Sequence, residues 1–233
     1  MSQSAYPRFC PIAMAADLIE PRWTLLVLCE MFSGSTRFSE IQRGVPAMSP
    51  GLLSKRLKDM QGNGLVERRE NVAGGHAQYH LTELAVSLGP VIYKLGEWAH
   101  QNIDSEVSLK YLDARMLMWN IRHKINRDTL PVPRCVIQFT LKNPPDEVAN
   151  YWLVIKPGLD PDICYVDPGH SVDLFVVSEL RALTSAWMGH SRFEDEIAAE
   201  RITLIGHIDL ARSLTKWMVR SCYADASAPG VSA

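Results

Sequence analysis

Ser49-Pro50-Gly51-Leu52-Leu53-Ser54-Lys55-Arg56-Leu57-Lys58-Asp59-Met60-Gln61-Gly62-Asn63-Gly64, followed at once by Leu65-Val66-Glu67-Arg68-Arg69, is the stretch on which the fold turns. Ser49 supplies an N-cap oxygen, Pro50 suits a first helical turn, and Leu53, Leu57 and Met60 recur at i, i+4 and i+7. The spacing predicts a helix with one apolar stripe, and it leaves Ser54, Lys55, Lys58 and Gln61 facing outward. Gly62-Asn63-Gly64 ends it. Leu65 to Arg69 and Ala77-Gln78-Tyr79-His80-Leu81 then read as two strands joined by a loop that holds Gly74-Gly75. A hairpin directly behind a basic helix predicts a winged helix.

Upstream, three shorter helices are expected. Pro11 opens the first, with Ile12, Ala15, Leu18 and Ile19 at helical spacing; Pro21 opens a second through Trp23, Leu26, Val27 and Met31 to the Ser33-Gly34-Ser35 turn. Phe38, Ile41 and Gln42 allow a third, closed near Gly44 and Pro46. Downstream, a long helix is predicted from Thr82 to about Ile103. Leu84, Leu88, Val91, Leu95 and Trp98 follow one another at spacings of four and three, with Asn102 continuing the row. Such a stripe needs a partner surface, either a second copy of the chain or the rest of its own domain, and on the first reading these five are the candidate dimerisation residues. Pro90 implies at most a kink or restart.

The charge balance points the same way. The chain carries a formal net charge of -2, yet nucleic acid responds to local clusters of cations rather than to the average. Between residues 37 and 69 the basic side chains are Arg37, Arg43, Lys55, Arg56, Lys58, Arg68 and Arg69, opposed only by Glu40, Asp59 and Glu67. That window is basic inside an acidic chain. No run approaches the roughly 18 apolar residues of a membrane span, and no secretory leader is visible, so the cytoplasm is expected and a membrane partner is not. Five cysteines without a CxxC pair argue against a zinc ribbon or disulfide scaffold. His76 and His80 fall at strand spacing, about 13 Å apart, which does not suit a shared metal ion. Neither a metal nor a cofactor is expected.

A second pattern begins near Asp104-Ser105-Glu106, giving expected domains at 1–104 and 105–225 and a disordered tail at 226–233. A helix is expected at 109–124, strands at 134–141, 151–156, 162–166, 172–177 and 201–206, and helices at 179–188 and 208–220. The fold class is α+β: a winged helix-turn-helix domain followed by an α+β domain with a mostly antiparallel sheet.

Residues 8 to 103 resemble the HxlR-type winged-helix regulators. The resemblance is carried by Cys10-Pro11, Arg22-Trp23, Arg37-Phe38-Ser39-Glu40-Ile41, Ser49-Pro50, Leu53, Arg56-Leu57, Gly64-Leu65-Val66, Tyr79 and Leu81-Thr82-Glu83-Leu84. The chain departs from the family at Glu20-Pro21, where a glycine-rich turn is commoner, and at Gly74-Gly75-His76, where the wing often carries proline. The resemblance implies a DNA-binding dimer, and it marks Cys10 as the match to a near-terminal cysteine that some relatives use to sense oxidants. Residues 110 to 222 resemble a sterol-carrier-type domain. Tyr151-Trp152-Leu153-Val154, Asp167-Pro168-Gly169, Leu180-Arg181-Ala182-Leu183-Thr184, Trp187-Met188-Gly189 and Ile202-Thr203-Leu204-Ile205-Gly206 carry that likeness. It implies an apolar pocket between sheet and helices, hence an apolar small-molecule effector. Trp119, Phe139, Trp152, Phe175 and Trp187 are the candidate lining residues, with solid core as the alternative.

For nucleic acid, Ser49, Ser54, Lys55 and Lys58 are the candidates to enter the major groove, which admits one α-helix. Arg37, Arg68, Arg69, His76 and Gln78 are candidates for phosphates or a flanking groove. Arg56, beside the core leucines, is either a phosphate clamp or an internal ion-pair partner. Cys29, Cys135 and Cys164 read as core. No nucleophile elbow, phosphate loop or dinucleotide fingerprint is present, so an enzyme is not expected. The sequence therefore reads as a homodimeric regulator of transcription, a repressor by expectation, with double-stranded DNA as partner. The alternative is an apolar-ligand carrier whose winged helix docks protein.

Overall fold

The computed structural model describes residues 9–70, 77–143 and 147–225. The chain divides into two compact units, Met1–Leu95 and Gly96–Ala233. The division falls inside the long helix, ahead of the charge shift at Asp104.

The front unit runs α1 (Pro11–Ile19), α2 (Thr24–Phe32), α3 (Phe38–Gly44), α4 (Pro50–Gly62), β1 (Val66–Arg69), β2 (Gln78–Leu81) and the part of α5 (Glu83–Asn102) up to Leu95. α1 buries none of its residues. α2 starts behind Trp23, held at φ 81 in the left-handed region, a conformation that costs a large side chain about 1–3 kcal/mol and persists only where packing over-determines it. Here the ring packs on the front core, and the Thr24 hydroxyl donates to the Pro21 carbonyl at 2.7 Å, closing the turn. That core gathers Val27 and Leu28 from α2, Ile41 from α3, Leu53, Leu57 and Met60 from α4, and Ala85 and Ile92 from α5. Gly44 makes room for buried Glu30 where α3 ends: a Cβ there would lie 2.1 Å from its carboxyl carbon, so the Glu30 side chain would have to move.

β1 and β2 pair antiparallel, Val66 opposite Leu81 and Arg69 opposite Gln78. The sequence reading missed a third participant. Arg37 bridges to Gln78 as an isolated antiparallel pair, and the Tyr79 amide donates to the Thr36 carbonyl at 2.7 Å. The segment ahead of α3 thus continues the wing sheet. The loop with Gly74-Gly75 lies outside the described residues.

The rear unit adds α6 (Ser105–Ser108), α7 (Ala114–His123), a 3₁₀ turn at Arg127–Thr129, β3 (Cys135–Asn143), β4 (Glu147–Ile155), β5 (Asp162–Cys164) and β6 (Leu174–Glu179). α8 (Leu180–Met188), α9 (Phe193–Ala198), β7 (Ile202–Gly206), α10 (Ile208–Arg212) and α11 (Leu214–Trp217) complete it. The sheet has five strands in the order β5-β4-β3-β6-β7, with β3 and β6 parallel and the other neighbours antiparallel. Strand side chains alternate between faces. Ile137, Phe139, Leu141, Tyr151, Leu153 and Val176 face a helical layer that supplies Leu117, Ile121, Leu183, Trp187, Phe193 and Trp217.

Two expected helices are shorter than the sequence suggested. The helix at 109–124 starts only at Ala114, because Asp113 caps it by accepting from the Met116 amide at 3.0 Å. The stretch 208–220 is broken at Ser213 into α10 and α11. α9 and α6 were not foreseen. Each is too short to show a period.

Candidate nucleic-acid interface

One hydrogen bond sets the link between α3 and α4, with Gln42 Nε2 donating to the Met48 carbonyl at 2.6 Å. Ser49 then caps α4, its hydroxyl oxygen accepting from the Leu52 amide at 3.3 Å. With Leu53, Leu57 and Met60 buried on one side, Gly51, Ser54, Lys55 and Lys58 are left exposed on the other. Among the described residues neither lysine has an ion-pair partner. Arg56 differs: only 14% of its side chain is exposed, Nη1 lies 3.4 Å from Asp59, and buried Nε has no partner. Its guanidinium reaches Asp59 one turn along the same helix.

On the wing, exposed Arg68 pairs with Glu70, and Arg69 pairs with Glu67 at 3.0 Å. Exposed pairs of this kind are worth at most about 1 kcal/mol, so a phosphate can displace either carboxylate. Gln78 is half-buried, with Oε1 3.3 Å from His80 Nε2. Exposed Arg37 is joined to the wing by its bridge to Gln78, while its amide and that of Thr36 donate to Glu40 Oε2 at 3.0 and 3.1 Å. Arg37 therefore stands at the junction of α3 and the wing. His76 lies outside the described residues.

The stripe on α5 is open: Leu84, Val91, Leu95 and Trp98 are 52, 60, 48 and 57% exposed, and Leu88 is half-buried. Pro90 sits inside a continuous helix. Phe9, Ile12 and Met14 on and before α1 are likewise exposed. Cys10 is half-buried at the start of α1, its carbonyl accepting from the Met14 amide at 3.0 Å and its side chain capping nothing.

The five aromatic candidates of the rear unit do not line one cavity. Phe139 and Trp187 are buried in the core between sheet and helices. Trp119 is buried with Arg122 4.5 Å above its ring and His123 edge-on at 5.2 Å. Trp152 and Phe175 fall on the opposite sheet face, in a row with Cys164, Gln138 and Ile205, because they alternate with the core residues Leu153 and Leu174. Cys164 is for the same reason outside the core, whereas Cys135 is inside it, and burial with the nearby Asp173 carboxylate pushes its thiol up to about 11. A pocket of about 290 Å³ does lie on the helical side, lined by Leu112, Asp113, Ala114, Arg115, Leu141, Ala149, Tyr151 and Leu180. Sequence reasoning missed it because its residues are ordinary and scattered. His100 and His190 stack with centroids 4.9 Å apart, and burial, reinforced by His100, lowers the His190 pKa.

Among the described residues no group of three possible metal ligands exists, and no helix is long and apolar enough to cross a membrane. A family model described as HxlR-like helix-turn-helix matches residues 18–107. The HTH-type transcriptional regulator YvaP of Bacillus subtilis (strain 168) is 35% identical over 106 residues, which span 45% of this chain and 95% of YvaP. The chain belongs to the HxlR-like helix-turn-helix family. Another family relative, the HTH-type transcriptional regulator YodB of the same organism, is 33% identical over 94 residues, 40% of this chain and 84% of YodB. The reduced form of YodB from B. subtilis is among similar solved structures, at 32% identity and a TM-score of 0.37, covering 41% of this chain and 96% of that one. These relatives are transcriptional regulators, and they account for less than half of this chain.

Proposed function

We propose that this HxlR-like protein is a homodimeric, DNA-binding repressor of transcription whose rear unit takes a small-molecule effector. One observation carries the reading: α4 presents Ser54, Lys55 and Lys58 from a capped helix whose other side is locked into the core. A rigid helix with a cationic, hydrogen-bonding face suits the major groove, and the wing arginines suit the flanking phosphates. The open stripe of α5 supports a two-fold dimer, which asks for a near-palindromic operator with half-sites about one helical turn apart. A sheet with helices on one face and a pocket between them supports the sterol-carrier-like reading of the rear unit. An effector that binds one conformational state better than the other would shift operator affinity by that difference and no more.

The test is selection of genomic fragments by the full chain, followed by footprinting. A protected near-palindrome, lost in a Lys55→Ala/Lys58→Ala double variant, is expected. Equal retention of all fragments, or protection unaffected by the double variant, overturns the reading.

A further inference from the structure

We infer that the rear pocket is a site for a small amphipathic carboxylate, held by the Arg115 guanidinium at the rim and by an apolar floor. The inference rests on the effector reading above and narrows it, since the pocket is too small to enclose a whole long-chain lipid or sterol. At the packing density of about 0.75 found in protein interiors, 290 Å³ holds on the order of a dozen carbon-sized atoms. That is a ring or short chain with one head group. The site also stands at the small end of the volumes, roughly 300 Å³ upward, that hold small ligands.

The lining is divided by polarity. Leu141, Tyr151 and Leu180 are buried and form the floor, while Asp113 and Arg115 are exposed at the edge. Arg115 lies with its guanidinium carbon 5.5 Å from the ring centroid of Tyr165, which in turn meets Tyr151 edge-on at 5.8 Å. The aromatic pair links floor to rim and holds the cation beside the opening. Among the described residues no carboxylate pairs with Arg115. The other nearby arginine, Arg181, is already committed, to Glu106 and to the Leu109 carbonyl. Asp113 opposes an anion, but its carboxylate is engaged as the cap of α7, where the helix N-terminus offsets its charge. A guanidinium with open donors binds a carboxylate by charge-assisted hydrogen bonds.

The experiment is calorimetric titration of the full chain with 3-phenylpropanoate, with the uncharged 3-phenylpropan-1-ol, and with hexadecanoate. Expected is binding of the acid on the order of tenfold tighter than the alcohol, the gain of one charge-assisted contact at a partly open rim. Hexadecanoate should bind no better than the short acid. Arg115→Gln should remove the preference for the acid while leaving alcohol binding and melting temperature unchanged. Asp113→Asn, which keeps a capping oxygen, should tighten the acid alone. Equal binding of acid and alcohol, or an acid preference that survives Arg115→Gln, overturns the carboxylate assignment and leaves an apolar effector site standing. Tighter binding of hexadecanoate overturns the size argument. If none of the three binds, the inference fails, and a melting-temperature screen of larger apolar compounds then shows whether the effector reading fails with it.

Discussion

Lys55 and Lys58 differ from Leu57 in where they point, and that difference separates binding from stability. Lys55→Ala or Lys58→Ala should weaken operator binding while the melting temperature stays within a degree or two, since exposed positions contribute little to stability. Leu57→Ala, by contrast, truncates a side chain that is 1% exposed and should cost about 2–5 kcal/mol in a denaturant titration. Lysine variants that bind normally would place the groove contact on another surface. His190 carries a second residue-scale consequence. Burial and His100 lower its pKa in the folded chain, so between that value and the ordinary histidine pKa of about 6.5 the unfolded chain binds more protons than the folded one. Stability contributed here is therefore present above that ordinary value and is lost as pH falls through the lowered one. Melting scans from pH 8 to 5 should show the rear transition falling in this window, and His190→Gln should flatten the fall. A fall of equal size in the variant would assign the effect to other groups.

At the scale of elements, α4 was legible because every signal agreed: a cap, a first-turn proline, an apolar stripe and a glycine stop, each of which the structure repeats. The aromatic pocket was not, because counting Trp and Phe ignores parity. One residue separates Trp152 from Leu153, and one residue is the whole difference between outer face and core. The pocket that exists is built from leucine, alanine and tyrosine, with Asp113 and Arg115 at its edge, drawn from the start of α7 and from α8, β3 and β4, elements far apart in sequence, so no local pattern marks it. The wing was read as two strands, since the bridge from Arg37 to Gln78 spans some forty residues and leaves no local trace. α5 offers the sharpest element-scale test. Its open apolar stripe predicts that the wild-type chain sediments at twice the mass of its 233 residues, and that Val91→Glu or Trp98→Glu shifts it to monomer by burying an unpaired charge at the seam. A wild-type monomer at micromolar concentration, with or without DNA, would remove the basis for the dimer.

For the whole molecule, a basic patch on an acidic chain ties affinity to ionic strength. A dimer engaging about six phosphates should lose roughly a thousandfold in affinity between 50 and 200 mM salt, the slope expected from counterion release. Gel-shift titrations across that range measure it, and a flat response would mean that the chain does not hold DNA through these cations. The bridge that Arg37 makes to Gln78, with the Thr36 carbonyl beside it, bears on which sequences are held. It ties the wing to the segment that starts α3, while the Gln42 bond ties α3 to the start of α4. Two probes joined in this way would move together, and a double helix held by both would have to bend or narrow to match their span. Operators will then be ranked partly by stiffness, and base pairs between the contacts, touched by no side chain, will carry part of the code.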